Sequence, residues 1–216
     1  MRPIFTLLVG VVAMVCTGCE VDDTELTNHK TYTLYEDISA IVISNGADVV
    51  VDDALPHDQV YALTNAKNFN RLNIEVNDGT LHIGVSTYTA IFGLKRCLVY
   101  VPSVAYERVA LKGGSDFSWD SCNSDVLSIS VSGGCDCYIK GVAQKLSIDS
   151  SGGADIKCGE LEAEDVTINA SGGTDIDAVA NSTLSLTASG GADVHIKGNP
   201  QIVHWDVSGG ADVEFN

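Results

Sequence analysis

Six aspartates recur at a nearly constant spacing, and they are the residues of this chain whose type and arrangement best suit chemistry. Each follows a Gly-Gly pair with one residue in between: Asp116, Asp136, Asp155, Asp175, Asp193 and Asp212. The successive differences are 20, 19, 20, 18 and 19 residues. Carboxylates in such an array could bind Ca²⁺, cleave a glycosidic bond as an acid–base pair, or serve only as part of a repeating corner.

The repeat spacing limits what these carboxylates can do. If the copies stack as strands, neighbouring carboxylates lie about 4.8 Å apart. Two unit charges at that distance repel by about 0.9 kcal/mol even at the dielectric constant of water. We favour a structural role, in which each carboxylate accepts hydrogen bonds from backbone N–H groups of its own turn.

Calcium is the alternative interpretation of the column. The candidate ligands are Asp136, Asp155, Asp175, Asp193 and Asp212. Each Ca²⁺ needs about six to eight oxygen ligands, whereas the sequence offers only one acidic motif per repeat. We therefore predict neither a metal nor a cofactor, with calcium kept as the alternative.

Other chemistry has less support in the sequence. Cys135-Asp136-Cys137 is a CxC without a second cysteine pair, which argues against zinc. His195 and His204 lack a cysteine or histidine at ligand spacing and are interpreted as surface residues. A polysaccharide-active β-helix hydrolase or lyase is the alternative function. Such an enzyme needs loops that build a cleft, and repeats varying by two residues leave no room for them, so we predict no catalytic residue and no enzyme.

The segments that must position the aspartates alternate with period two. Before one corner the apolar residues are Leu127, Ile129 and Val131, and after it they are Cys135, Cys137 and Ile139. In the last repeat the same pattern places Val203, Trp205 and Val207 inward. Such alternation predicts two half-buried strands per repeat. One unit cannot bury its apolar face alone, whereas stacked units can.

The predicted fold is therefore an all-β, single-domain β-solenoid with coils of about 19 residues. The crossover rule for parallel strands predicts a right-handed coil. The double glycines should allow positive φ and keep the corners free of colliding side chains: Gly133, Gly134, Gly152, Gly153, Gly172, Gly173, Gly190, Gly191, Gly209 and Gly210. Cys135, Cys137 and Cys158 fall in inward columns and are predicted to be core residues.

The first residues predict export. Met1-Arg2 is followed by an apolar run of 13 residues, Ile4–Cys16, which suits the core of a signal peptide and is too short to span a bilayer. Thr17-Gly18-Cys19 resembles the lipobox of bacterial lipoproteins, in which the cysteine becomes the lipid-modified first residue. Ordinary signal cleavage nearby is the alternative.

These features predict the domain layout. Residues 1–18 form a lipoprotein signal peptide, residues 19–36 an acidic linker, and residues 37–216 the solenoid domain, with repeats from about 103 and an N-terminal β cap. The acidic cluster Glu20–Asp23 resembles the surface-export signal of lipoproteins of Bacteroidetes, although a solvated linker is the alternative. The chain carries 29 acidic and 12 basic residues, a formal charge of −17, which argues against binding nucleic acid.

The sequence resembles the head GIN domain family of auto-transporter adhesins, found in lipoproteins of Bacteroidetes. The resemblance rests on the SGGAD-type corners, on Val60–Val85 and on the VYVP at Val99–Pro102. It implies a β-solenoid-like fold and no catalytic residues. We therefore expect a non-enzymatic surface adhesin or structural module, lipid-anchored in the outer membrane of a Gram-negative bacterium. A glycan or a host matrix protein is the expected partner, and homo-oligomerisation stays open.

Overall fold

The computed structural model describes residues 28–64, 69–86 and 97–216, and every regular element in them is a β-strand. The predicted signal peptide, Cys19 and part of the predicted linker lie outside these residues. No described segment forms a helix that is long and apolar enough to cross a membrane. The strands are β1 Asn28–Thr33, β2 Ala40–Ser44, β3 Ala47–Asp52, β4 Gln59–Thr64, β5 Leu72–Asn77, β6 Thr80–Val85, β7 Cys97–Pro102, β8 Arg108–Lys112, β9 Phe117–Gly133, β10 Asp136–Gly152, β11 Asp155–Gly172, β12 Asp175–Val179, β13 Thr183–Gly190, β14 Asp193–Lys197, β15 Gln201–Val207 and β16 Asp212–Phe215.

The repeats stack as parallel coils, which confirms the predicted all-β solenoid. Strand β10 pairs in parallel with β9 on one side and with β11 on the other. Equivalent residues of successive repeats face each other across the ladder, such as Ile148 and Ile168, or Gly152 and Gly172. In β9, β10 and β11 the strand after one corner continues into the strand before the next. Each of these coils is therefore one long strand between corners.

The Gly-Gly corners bring the backbones of successive coils close together. The N–H of Gly173 donates to the carbonyl oxygen of Gly152 at 2.8 Å, and Gly191 bonds Gly172 in the same way at 2.8 Å. The first glycine of each pair has positive φ, +94° at Gly172 for example. A Cβ atom there would meet the backbone of the preceding coil, so glycine is needed for both reasons.

The inward columns form one continuous core. Cys135, Cys137 and Cys158 are fully buried among aliphatic side chains, as the alternation predicted. The core also holds one polar pair, because Ser150 and Thr174 share a buried hydrogen bond of 2.7 Å between their hydroxyl oxygens. Thr174 donates a second bond to the carbonyl of Ala154, so this pair satisfies its buried hydroxyls inside the solenoid.

The N-terminal strands continue the solenoid in an order that differs from the chain order. Strand β2 pairs in parallel with both β6 and β8, and β3 lies between β7 and β9. The coil of β2 and β3 therefore sits inside the stack, joined by a degenerate corner at Asn45 and Gly46, both with positive φ. Beyond the coil of β6 and β7, the antiparallel strands β5, β4 and β1 end the sheet.

The last coil departs from the predicted pattern at one residue. A register shift in the pairing of β13 with β15 leaves Leu184 opposite Ile202 and Ser185 opposite His204. Val203 is the extra residue and is exposed, so its predicted inward position was wrong. A bulge of this kind adds one residue to one strand and breaks the period of two.

Candidate functional site

The aspartates form a straight column on the outer face of the strands that follow the corners. Direct ladder pairs join Asp136 to Asp155, Asp155 to Asp175, Asp175 to Asp193, and Asp193 to Asp212. A second outward column runs beside it, two residues beyond the aspartate on each strand that has one, and continues onto β7 and β4: Tyr61, Tyr100, Val50, Ser118, Tyr138, Lys157, Asp177, His195 and Glu214. We call these two columns the aspartate strip.

The carboxylates of the strip are bonded differently from the sequence-based expectation. Asp136, Asp155, Asp193 and Asp212 are exposed, and no hydrogen bond from a turn N–H reaches their side chains in the described structure. Their own N–H groups instead extend the ladder, as in the 3.0 Å bond from Asp155 to the carbonyl of Cys135. The predicted fixation by turn N–H groups was therefore wrong, and solvent takes that role.

One lysine neutralises the middle of the strip. The ammonium of Lys157 lies 3.4 Å from Oδ2 of Asp175 and 3.5 Å from Oδ2 of Asp177. Desolvation lowers the pKa of Lys157, but these two carboxylates outweigh it and hold the pKa above its usual range. Further along, burial raises the pKa of Asp136, and the charges of Asp116 and Asp155 raise it again. Lys157 lowers the pKa of Asp136 in turn, but it does not outweigh the burial and the like charges of the column.

A shallow groove of about 370 Å³ opens on the strip between Asp48 and Lys157. Its wall carries four carboxylates in a row, together with apolar and aromatic side chains: Asp48, Asp116, Asp136 and Asp155, with Val50, Leu98, Phe117 and Tyr138. Tyr138 is held in place, because its hydroxyl donates to Glu160 at 3.2 Å and Lys140 lies 4.9 Å from its ring centre. Acceptors and ring faces thus line the same groove.

The N-terminal end of the strip is aromatic. The rings of Tyr61 and Tyr100 have centres 6.2 Å apart, and His29 stacks on Tyr61 at 5.5 Å. These residues come from the antiparallel strands β1 and β4 and from β7, so no repeat in the sequence pointed to them. The sequence showed only that tyrosine occupies outward positions of two predicted strands, and it did not predict that these two strands pair.

One set of side chains in the strip could hold a metal ion. One ligand atom each from Asp175, Asp177 and His195 lie within 4.8 Å of one another. His195 was interpreted as a plain surface residue, but the register places it directly opposite Asp177. Lys157 already occupies the space between the two carboxylates, and Nδ1 of His195 lies 3.6 Å from Glu214. A cation would have to displace that ammonium. The five candidate calcium ligands line up in one column with one carboxylate per coil, whereas Ca²⁺ needs about six to eight oxygens.

The cysteines are poorly suited to act as nucleophiles. Burial raises the pKa of Cys158 to about 12 and those of Cys97 and Cys122 to about 11. A thiol acts as a nucleophile or a metal ligand through its thiolate form. The described cysteines are therefore core residues, and what the strip offers is hydrogen-bond acceptance and ring stacking.

Stacked parallel coils with an acidic, partly aromatic outer strip define a β-solenoid. Residues 35–200 match the family model described as "Putative auto-transporter adhesin, head GIN domain", and the chain belongs to this family. No curated protein matches the chain.

Two solved structures share the fold. A "putative adhesin" from Bacteroides fragilis NCTC 9343 is 17% identical with a TM-score of 0.70, over 88% of this chain and 96% of that one. A "putative lipid binding protein" from Parabacteroides distasonis ATCC 8503 is 17% identical with a TM-score of 0.51, over 88% of this chain and 97% of that one. At these identities the likeness concerns the fold alone.

Proposed function

We propose that this protein is a non-enzymatic adhesin of the bacterial cell envelope that binds a neutral glycan along the aspartate strip. The family description and the solenoid fold support the adhesin class. The groove beside Tyr138 supports the ligand class, because it combines a row of carboxylates with ring and aliphatic surface.

A glycan matches the chemistry of this groove. Asp48, Asp116, Asp136 and Asp155 present acceptor oxygens, which suit the hydroxyl donors of a sugar. Tyr138 and Leu98 present apolar surface, which suits the C–H face of a sugar ring. The acceptors repeat at the strand spacing of about 4.8 Å, so a linear chain of repeating units could contact several coils.

Charge argues for a neutral ligand over an anionic one. The chain has a formal charge of −17, and Lys157, which lines the groove, is paired with Asp175 and Asp177. An anionic polysaccharide or a phosphate-rich ligand would meet an acidic wall whose nearest cation is already neutralised. Uncharged hydroxyls meet no such repulsion.

The anchor completes the proposal. Thr17-Gly18-Cys19 and the acidic residues after it support a lipid-modified Cys19 and a position on the outer membrane, facing the outside. The residues between Cys19 and β1 would then act as a short tether between lipid and solenoid. In this arrangement the outer membrane holds the protein through its N-terminal lipid, and the outward columns of the solenoid stay accessible.

The direct test is an array of immobilised glycans and extracellular-matrix proteins probed with the full chain carrying Cys19→Ser, which leaves the body unlipidated. We expect binding to neutral polysaccharides that 1 M NaCl does not abolish, since hydroxyl–carboxylate bonds and ring contacts do not depend on counterion release. Release of reducing or unsaturated sugar ends during incubation would instead support the alternative, a polysaccharide-active enzyme. Binding confined to matrix proteins would contradict the glycan assignment.

A further inference from the structure

The two ends of the solenoid differ in the strands that terminate them. At the N-terminal end the antiparallel strands β5, β4 and β1 cover the last parallel coil, and Leu72 and Ile74 of β5 are buried there. At the other end, β15 pairs only with β13 and β16 only with β14, so both have an open edge. The C-terminal coil is therefore the place in the described structure where parallel stacking stops without a cover.

The open coil exposes side chains that should be inside a core. Ile202, Trp205 and Phe215 are 42%, 44% and 48% exposed, and the neighbouring Val203 is 58% exposed. Trp205 lies opposite the fully buried Leu186, and Phe215 opposite the fully buried Ile196, so both continue inward columns. The two rings stack with their centres 5.9 Å apart. An apolar patch of this kind, bordered by a strand edge, is typical of an interaction surface.

The edge also defines the chemistry of its partner. The outer backbone groups of β15 and β16 face no strand, so the partner must supply N–H and C=O groups in extended conformation. It must also supply apolar side chains that continue the inward columns above Trp205 and Phe215. Among the described residues, the C-terminal coil combines a free strand edge with exposed apolar side chains of the inward columns, so a second copy of this coil supplies both features. At the N-terminal end β1 and β5 also have a free edge, but the apolar side chains there, such as Tyr32, Leu72 and Ile74, are buried.

We propose that two copies of this chain associate end to end through their C-terminal coils. The two β15 strands pair antiparallel around a two-fold axis, with Trp205 opposite Trp205 of the second copy. Antiparallel pairing centred on Trp205 places His204 of each copy opposite Asp206 of the other. The interface therefore contains two such pairs, both on the outer face. The imidazole N–H of each His204 can then donate to the carboxylate of the opposite Asp206, so the contact is complementary in hydrogen bonding as well as in apolar surface. Because a two-fold contact uses the same edge of both copies, it occupies both C-terminal coils and gives a closed dimer and no filament.

The dimer contact uses the edge of the last coil and not the outward face of the aspartate strip, and the glycan groove lies several coils away, between Asp48 and Lys157. Fluorescence offers a direct readout, because the chain has only two tryptophans. Trp119 is 1% exposed, so a shift in emission on association reports Trp205. Dimer formation would remove Trp205 from water and move the emission to shorter wavelength as the protein concentration rises.

The test is sedimentation equilibrium of the full chain carrying Cys19→Ser, together with tryptophan emission over the same concentrations. We expect a monomer–dimer equilibrium with a parallel blue shift. Trp205→Lys should raise the dissociation constant by about 30-fold or more, as loss of a central aromatic residue does. Val142→Lys is the control, because Val142 is equally exposed at 50% but lies away from the end; it should leave the equilibrium unchanged.

A charge exchange tests the register. His204→Asp should weaken the dimer by setting like charges opposite each other, and His204→Asp combined with Asp206→His should restore it. Circular dichroism of each variant shows whether the solenoid is intact. A protein that stays monomeric at all concentrations would overturn the proposal. A dimer that survives Trp205→Lys in a folded variant, or a double exchange that restores nothing, would equally contradict this interface.

Discussion

The position that a Cβ atom would take at Gly172 lies 2.6 Å from the carbonyl oxygen of Gly152 in the preceding coil. The residue also has a φ of +94°, which side chains of L-residues rarely allow. At Gly173, the second glycine of the same pair, nothing lies within 4 Å of the corresponding point. The two glycines of a corner therefore differ: the first is fixed by close approach of two backbones, and the second is not.

This difference predicts the effect of two substitutions. Gly172→Ala should lower the free energy of unfolding by about 2–4 kcal/mol, because it adds strain and pushes two coils apart. Gly173→Ala should change it by less than about 1 kcal/mol. Urea denaturation followed by circular dichroism measures both. Equal damage from both alanines would show that the corner is not held by the ladder between Gly172 and Gly152.

The sequence predicted those parts of the fold that repeat. Ile148 and Ile168 occupy the same place in successive copies, so their shared burial follows from period and alternation alone. The order of the N-terminal coils could not be predicted in this way, because β2 pairs with β6 and β8, which come much later in the chain. The inward position predicted for Val203 was wrong because a bulge adds one residue to β15, and the residue types around Val203 do not indicate that bulge.

The candidate site was predicted only in part. The aspartate column follows directly from the repeat. Its ion pairs do not, because the reach of the Lys157 ammonium to both Asp175 and Asp177 of the next coil depends on side-chain conformation. The approach of His195 to Asp177 could have been found by writing the repeats beneath one another. Aligning the repeats would not have revealed the aromatic contact between Tyr61 and Tyr100, because their strands, β4 and β7, carry no copy of the repeat.

The buried thiols predict slow alkylation and a loss of stability at high pH. With a pKa of about 12, Cys158 is thiolate in only about one molecule in ten thousand at pH 8, against about one in ten for a thiol at 9.0. Iodoacetamide followed by peptide mass spectrometry should find Cys158 and Cys137 unmodified in the folded protein and fully modified in urea. Rapid alkylation without denaturant would contradict their burial.

The sign of the pH effect follows from the same shift. The pKa of Cys158 is raised by folding, so between about pH 9 and pH 12 the unfolded chain has lost a proton that the folded chain keeps. The free energy of unfolding should therefore fall as the pH rises through that window. Urea titrations at pH 8 and pH 10.5 measure it, and a Cys158→Ala variant should show a shallower fall.

Calcium should have little specific effect. Each coil contributes one carboxylate to the column, and the candidate cluster at Asp175, Asp177 and His195 already contains the ammonium of Lys157. Millimolar Ca²⁺ should raise the melting temperature slightly, and NaCl at matched ionic strength should do the same. True sites at 100-fold over Kd would add about 2.7 kcal/mol. A stabilisation specific for Ca²⁺, and lost in Asp155→Asn and Asp175→Asn, would contradict the structural role.

The lipid anchor is tested at one residue. Labelled palmitate supplied to the native host should enter the protein, and Cys19→Ala should abolish the label and release the protein from the membrane fraction. Cys16→Ala is the matched control, since Cys16 precedes the predicted cleavage site and should leave labelling intact. Label that survives Cys19→Ala would show that the attachment lies elsewhere.

The most direct test of the proposed function compares two faces of the solenoid on the same glycan array. Asp136→Asn combined with Tyr138→Ala changes the groove. Thr167→Ala combined with Ser185→Ala changes a directly paired outward couple on strands before the corners. We predict that the first pair of substitutions reduces binding to every recognised neutral glycan by at least about tenfold, and that the second leaves it unchanged, with both variants folded by circular dichroism. Equal binding by the groove variant, or loss of binding in the Thr167 and Ser185 variant alone, would contradict recognition by the aspartate strip.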